Sequence, residues 1–313
     1  MKKAWESKVS IGEKETQLKN ELSRIFDKEI KDVSSEYQSL GFSGGTFKTS
    51  IKFQDESSRE VIIKKVGEPE REHGFHTEVL AKIDTKHPKC FGVINLEDSS
   101  FIVLDYIPSQ EVEYKDNQKY RDAINWLIQK DLAVISNKEI LNHSSVESKF
   151  HNVYDAKFLG RLDTVIEKNL QESVNQDFKQ MLESKADRFL SLNETLMQSP
   201  QTINHNDFQM NNILFKQEDG SIVVIDWTHP NQGSVLVDLI ALVQTAPREI
   251  RSELVEQYKE KINFENFDEL YETARIRKNI GVFGWMLQVY IEGQQDQLYM
   301  PDFEEFRDSL INF

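Results

Sequence analysis

Apolar positions change their period along this chain and so divide it into stretches. Near the N-terminus Leu18, Leu22, Ile25, Phe26, Ile30 and Val33 recur at roughly helical spacing, which predicts one amphipathic helix. Residues 35–66 switch to the short runs of strands: Phe47–Phe53, a polar turn at Gln54–Ser58, then Val61-Ile62-Ile63-Lys64-Lys65-Val66. A helix over Glu70–Ile83 is expected next, with further strands near Phe91–Asn95 and Phe101–Tyr106. Tyr106-Ile107-Pro108 breaks the pattern and reads as a hinge. Spacing is chiefly helical from about 116 to 198 and again over 235–310. Strands first and helices later predict an α+β architecture of two lobes. The small β-rich N-terminal lobe is expected over 1–107 and a larger, mainly helical C-terminal lobe over 108–313.

Between the two helical stretches lies Thr202–Trp227, TINHNDFQMNNILFKQEDGSIVVIDW. Here the apolar triplet Ile213-Leu214-Phe215 and the run Ile222-Val223-Val224-Ile225 flank a polar turn containing Asp219-Gly220, a hairpin signal. A hairpin turning there brings Asn212 and Asp226 to the same open end, with Asp207 just before it. Two carboxylates and an amide oxygen then converge without help from distant sequence. Phosphoryl transfer calls for such a layout. Mg²⁺ prefers oxygen ligands and takes others from nucleotide phosphates, while a separate carboxylate orients the attacking hydroxyl and accepts its proton.

The order His205-x-Asp207-x₄-Asn212, hairpin, Ile225-Asp226-Trp227 resembles the catalytic and metal-binding loops of the aminoglycoside phosphotransferase/choline kinase family. Those enzymes are small-molecule kinases built on the protein-kinase fold. The resemblance implies that fold, with Asp207 as catalytic base, Asn212 and Asp226 as Mg²⁺ ligands, and His205 as a support of the loop. Asn206 and Gln209 depart from the commoner glycine and histidine at their places, but neither supplies an essential oxygen. Gly233-x₄-Asp238-Leu239 resembles a further family segment, and Asp238 within an apolar helix needs hydrogen bonds, which implies that it holds the catalytic-loop backbone.

The same resemblance extends to the small lobe. Ser43-Gly44-Gly45-Thr46 lies between strands, where glycine amides can approach phosphate closely. Lys64 and Lys65 follow an apolar β-run and must face opposite ways. The family's placement selects Lys64 for the nucleotide phosphates, with Lys65 as the alternative. Its carboxylate partner is Glu72, in Glu72-His73-Gly74-Phe75-His76, or else Glu78. Asp105, Tyr106 and Ile107 match the linker whose backbone neighbours the nucleotide base. The cofactors implied are ATP, with GTP as the alternative nucleotide, and Mg²⁺.

Composition narrows the partners. The net charge of −15, from 38 basic and 53 acidic residues, argues against nucleic-acid binding and suits a cationic small-molecule substrate or mere solubility. Cys90 is the single cysteine, so no intrachain disulfide exists, and its apolar setting reads as a buried thiol. No secretory signal or membrane-length apolar run is found, and no obligate protein partner is evident; a reducing cytoplasm is expected. In the large lobe Trp285 and Tyr290 are candidate pocket walls, though helical aromatics more often fill cores. Glu292, Asp296 and Asp302 are candidate receptors of substrate amines or a solvated face. The expected activity is transfer of the γ-phosphoryl group to a hydroxyl of a small polar molecule. An aminoglycoside or other amino sugar is favoured, and choline, an amino alcohol or a sugar is the alternative. A catalytically inactive nucleotide-binding scaffold is the rival of another class.

Overall fold

The computed structural model describes residues 15–38, 45–83, 86–96, 99–110, 113, 115–147, 153–228, 230–294 and 300–313. Ser43, Gly44 and Asp296 lie outside the described residues. The chain divides into two compact units. The first comprises 1–112, 143–145 and 211–228, and the second 113–142, 146–210 and 229–313.

The first unit is built on a five-stranded antiparallel sheet in the order β1-β2-β3-β5-β4. Its strands are β1 Ile30–Tyr37, β2 Thr46–Phe53, β3 Ser58–Val66, β4 Cys90–Leu96 and β5 Ser99–Asp105. Helix α1, Glu15–Phe26, buries Leu18 and Leu22 among Ile51, Phe53, Val61, Ile63, Ile94 and Phe101. Close approach of α1 depends on Gly92, where an added Cβ would sit 3.2 Å from Ile25. The helix is shorter than its apolar spacing predicted. Asp27, at φ 49°, turns left-handed after Phe26, so Ile30 and Val33 fall in β1 and pair with Phe53 and Ile51. The charged run Asp27-Lys28-Glu29 ends the helix, and pairing with β2 decides the conformation beyond it.

The helix expected over Glu70–Ile83 is one helical run of three geometries. Helix α2, Pro69–Gly74, starts on a proline, which suits a first turn whose N–H has no partner. It widens into a π turn at Phe75–Val79 and tightens to a 3₁₀ turn at Leu80–Lys82. The hairpin read from sequence is also in this unit, as β7 Ile213–Phe215 and β8 Ile222–Val224, numbered after β6 of the second unit. It is pinned to the segment after β5: Gln110 N–H donates to the Phe215 carbonyl at 2.8 Å and Gln217 N–H to that of Pro108 at 3.1 Å.

The second unit is mainly helical, with α3 Asn117–Ser136, α4 Ala156–Glu167, α5 Gln176–Ser184, α6 Ala186–Leu196, α7 Leu236–Thr245, α8 Arg251–Lys261, α9 Phe267–Ile291 and α10 Met300–Ile311. Helix α9 is its axis: Ile280, Phe283 and Leu287 are buried with Phe158, Leu182, Phe189 and Phe303. A two-stranded antiparallel ribbon, β6 Gln201–Asn204 with β9 Asn231–Ser234, carries the chain into and away from the catalytic segment. No helix among the described residues is long and apolar enough to cross a membrane.

Candidate active site

Alternation along β3 sends the two lysines to opposite faces of the sheet. Val61 and Ile63 face α1, so Lys64 takes the other face with Val66, Ile102 and Leu104, and only 6 % of it is exposed. Its Nζ donates to Glu72 Oε1 at 2.8 Å, Asp226 Oδ1 at 2.9 Å and Thr228 Oγ1 at 2.9 Å, which uses all three ammonium donors. Burial pulls the Lys64 pKa down, but Glu72 and Asp226 outweigh it and leave the value above that of an ordinary lysine. The ammonium is therefore charged at neutral pH. Glu78 turns instead to His143, whose Nε2 lies 3.0 Å from its carboxylate.

Asp226 has φ 65°, a left-handed backbone that is uncommon for a non-glycine residue. The residues around it hold that conformation. Trp227 is buried, donates its indole N–H to the Val224 carbonyl at 3.2 Å, and packs on Phe75 with ring centroids 5.3 Å apart. Thr228 donates its hydroxyl to Asp226 Oδ1 at 2.6 Å and its N–H to the Asp226 carbonyl at 2.9 Å. Phe75 thus packs on the residue after Asp226, and Glu72, from the same Glu72–His76 motif, is joined to Asp226 through Lys64.

Across the hairpin Ile213 pairs with Val224, and Ile225 N–H donates to the Asn212 carbonyl at 2.9 Å. Asn212 and Asp226 therefore flank the same end of the ribbon. Asn212 is buried, while the Asp226 carboxylate is 40 % exposed. Among the described residues, no three His, Cys, Asp or Glu side chains gather into a metal cage. One carboxylate and one amide fit Mg²⁺, which binds few protein ligands when phosphates complete its shell.

Of the glycine loop, Gly45 and Thr46 are described. Gly45 has φ 140°, and a Cβ there would meet the Phe47 ring at 3.3 Å, so a side chain would be strained on both counts. Its carbonyl accepts from Lys65 N–H at 2.9 Å, and Thr46 is the register partner of Lys64. Asp105, Tyr106 and Ile107 are partly exposed at the end of β5; Asp105 N–H donates to the Lys89 carbonyl at 2.8 Å, and Lys48 Nζ stands 4.0 Å over the Tyr106 ring.

Within the second unit the loop after β6 carries Asp207. Asp238, fully buried on α7, accepts the His205 N–H on Oδ2 at 2.8 Å and the Asn206 N–H on Oδ1 at 2.9 Å. Asn206 has φ 68°, so the loop, like Asp226, turns through a left-handed residue. His205 Nδ1 accepts the Asp207 N–H at 3.3 Å, and Gln209 donates its side-chain amide to Asp207 Oδ1. Phe208 is buried and stacks on Trp126 at 5.4 Å. Beneath the loop lies a charged network that the sequence did not announce. Lys130 Nζ donates to Asp238 Oδ2 at 3.0 Å and to the Ile203 carbonyl at 2.7 Å, and stands 3.0 Å from Asp131 Oδ1. Asp131 accepts in turn from Thr202 at 2.7 Å and Tyr258 at 2.5 Å. Burial depresses the Lys130 pKa, yet the two carboxylates more than restore it, so the ammonium is charged. The one signal was a Lys-Asp pair inside the apolar run Ala123–Val134. A second residue beyond those foreseen is Lys278 on α9, whose Nζ lies 3.5 Å from the Asn206 carbonyl.

The candidate pocket walls part ways. Tyr290 is buried and accepts from Gln171 at 3.1 Å, so it belongs to the core, whereas Trp285 is 39 % exposed. Glu292 is exposed and accepts from Gln288. Cys90 is buried, and desolvation pushes its thiol up to about 11.

Residues 128–270 match the family model described as the ecdysteroid kinase-like family. No curated protein matches the chain in sequence. Solved structures do match over nearly the full length. The choline kinase LicA from Streptococcus pneumoniae is 16% identical, with a TM-score of 0.58 over 96% of this chain and 100% of that one. A thermostable mutant of the aminoglycoside phosphotransferase APH(4)-Ia, in a ternary complex with AMP-PNP and hygromycin B, is 14% identical, with a TM-score of 0.59 over 95% and 98%. The macrolide 2'-phosphotransferase MphH from Brachybacterium faecium is 13% identical, with a TM-score of 0.54 over 93% and 96%. The chain therefore has the protein-kinase-like fold of these phosphotransferases and kinases, and its residues 128–270 are similar to the ecdysteroid kinase-like family.

Proposed function

We propose that the protein is a phosphotransferase that moves the γ-phosphoryl group of ATP to a hydroxyl of a small molecule. The observation that carries this reading is the Lys64 ammonium held at once by Glu72 and Asp226. Such an ammonium is fixed in place and charged, and it would turn donors from Asp226 and Thr228 to nucleotide phosphates while keeping Glu72. Asn212 and Asp226 are the residues that would hold Mg²⁺, which supplies charge neutralisation for the phosphates when bound. Asp207 orients the acceptor hydroxyl and takes its proton, on a loop that Asp238 and His205 hold by its backbone. Gly45 and Thr46 beside Lys64, and the partly exposed Asp105–Ile107, are the nucleotide neighbours in this reading. ATP is the assigned nucleotide, with GTP as the alternative, and the cytoplasm, which holds ATP, is the assigned compartment.

The acceptor belongs to the class of hydroxylated small molecules. The net charge of −15 favours an aminated one, such as an aminoglycoside or amino sugar, with choline and other amino alcohols next. The name of the matching family adds hydroxylated steroids to the panel. Incubating such a panel with ATP and Mg²⁺ and weighing the products by mass spectrometry for an added phosphoryl group tests the activity. Asp207→Ala is expected to abolish turnover while binding nucleotide as before. Preserved turnover would remove Asp207 as the base, and nucleotide binding without turnover on any acceptor would favour the inactive scaffold.

A further inference from the structure

Among the described residues three lysines lie in or beside buried polar clusters, and one is poorly matched to its surroundings. Lys64 and Lys130 each have three partners at 2.7–3.0 Å. Lys278 makes a single bond among the described residues, to the Asn206 carbonyl, at 3.5 Å. An ammonium has three donors, so two of its N–H groups have no acceptor among the described residues. Holding the loop does not account for the residue, because a bond of that length is weak and Asp238 already anchors Asn206 at 2.9 Å.

The charges around Lys278 say what it faces. Burial and the adjacent Arg277 draw its pKa below that of an ordinary lysine, while Asp207 and Asp238 pull it back up. Asp238 is already engaged by Lys130 and by two backbone amides. Arg277 turns away, donating to Asn193 at 2.7 Å. Of the two carboxylates acting on the Lys278 charge, the larger effect is that of Asp207, the residue after Asn206, whose carbonyl Lys278 reaches. An under-bonded cation 3.5 Å from the carbonyl of Asn206, the residue before the one assigned to take the acceptor proton, is what a transferring phosphoryl group would meet.

We propose that Lys278 is a further catalytic residue, whose ammonium hydrogen-bonds a non-bridging oxygen of the phosphoryl group as it passes to the acceptor oriented by Asp207. The inference rests on the phosphotransferase reading given above. In the step, the acceptor O–H bond breaks and its proton goes to the Asp207 carboxylate. The acceptor oxygen bonds to the γ-phosphorus, and the bond from that phosphorus to the bridging oxygen breaks, its electron pair leaving on ADP. Lys278 keeps its protons throughout. Since the acceptor oxygen lies within hydrogen-bond reach of Asp207 and is bonding to phosphorus, a cation beside Asp207 is beside the phosphoryl oxygens as well.

The test compares the wild type with Lys278→Met, Lys278→Arg and Asp207→Ala. Aluminium fluoride with MgADP serves as a mimic of the phosphoryl group in flight, so that binding is read without any acceptor. Turnover is read on the acceptor found in the panel, or as ATP hydrolysis with water in that place. Lys278→Met is expected to bind MgADP within about twofold of the wild type, yet to lose on the order of 100-fold of the tightening that aluminium fluoride confers, with a similar loss in kcat. Its KM for ATP should stay within about threefold, and Lys278→Arg should recover about tenfold of kcat, because it restores the charge. If Lys278→Met fails to fold, the inference stands on Lys278→Arg: substantial retention of the aluminium fluoride effect supports it, and complete loss overturns it. Lys278→Met with the full aluminium fluoride effect and kcat within twofold of the wild type overturns the inference alone, provided Asp207→Ala is inactive. A wild type with neither turnover nor an aluminium fluoride effect overturns the phosphotransferase reading and this inference together.

Discussion

Replacing Asp238 by asparagine keeps its shape and removes one acceptor and one charge, and the structure says where the damage falls. Oδ2 receives two donors, the His205 N–H and the Lys130 ammonium, while Oδ1 receives only the Asn206 N–H. The amide will therefore turn its oxygen to the first pair, because the other orientation sets an NH₂ against two donors. Its NH₂ then opposes the Asn206 N–H, one residue before Asp207. A lost hydrogen bond to a charged group costs about 1.5–3 kcal/mol. Lys130 also gives up one of its two carboxylates, but it retains Asp131 and the Ile203 carbonyl. The total should therefore sit near about 3 kcal/mol, the low end for breaking a buried ion pair from one side. With a denaturant dependence of about 2–3 kcal/mol per molar urea, the unfolding midpoint of this unit should fall by roughly 1 M. Trp126 stacks on Phe208 and makes tryptophan fluorescence a reporter of the loop. Without urea the variant remains folded, so a fall in kcat of about 10-fold or more at unchanged KM for ATP would report displacement of Asp207 rather than unfolding. A midpoint within about 0.2 M of the wild type, on the same scale, would refute the claim that Asp238 bears the loop.

Glu72→Gln leaves Lys64 bonded to Asp226 and Thr228 but removes a countercharge, so kcat/KM for ATP should drop by about tenfold or more; steady-state kinetics at saturating acceptor read this, and an unchanged value would remove Glu72 as the residue that positions Lys64. His76, buried beside the Lys64 ammonium, is held neutral, with burial the larger cause and a pKa lowered from 6.5 to about 3. Its unfolded form takes up a proton near 6.5 and its folded form resists until about 3, so stability is intact above this window and lost as pH falls through it. At pH 4.5 the wild type should have lost roughly 2–3 kcal/mol on this account, at about 1.4 kcal/mol per pH unit. Urea titrations at pH 7 and 4.5 should show His76→Leu losing less by that amount; parallel losses would sink the assignment.

Much of the site was legible because hairpin geometry ties its residues together locally. Asn212 and Asp226 are brought to one end by a turn whose Asp-Gly pair marks it, and the two-residue period of a strand separates Lys64 from Lys65. Asp238 was legible for a different reason: a carboxylate in an apolar helix demands partners, and the loop amides are those partners. The short first helix was not, since Ile30 and Val33 continue a helical spacing by coincidence and only pairing with β2 shows them to be strand. Nor was the π turn at Phe75–Val79, which no residue of that segment marks.

The network beneath the catalytic loop was hidden for a more general reason. Apart from the neighbours Lys130 and Asp131, its bonds join residues 71, 73, 108 and 127 positions apart, so no short window of sequence shows what that pair holds. Lys278 was masked differently: in Arg275-Ile276-Arg277-Lys278 it reads as one more solvated base, and only the fold shows that Arg277 bonds Asn193 while Lys278 faces the loop. The residues that perform chemistry must sit close together and are often close in sequence, while those that hold them still need only be close in space. The segment matching the kinase-like family, 128–270, spans both kinds, from Lys130 and Asp131 through Asp207 and Asp226 to Tyr258. Lys64, Glu72 and Lys278 fall outside it. A likeness confined to that segment therefore speaks for the loop and its supports, while the roles proposed for Lys64, Glu72 and Lys278 rest on geometry alone.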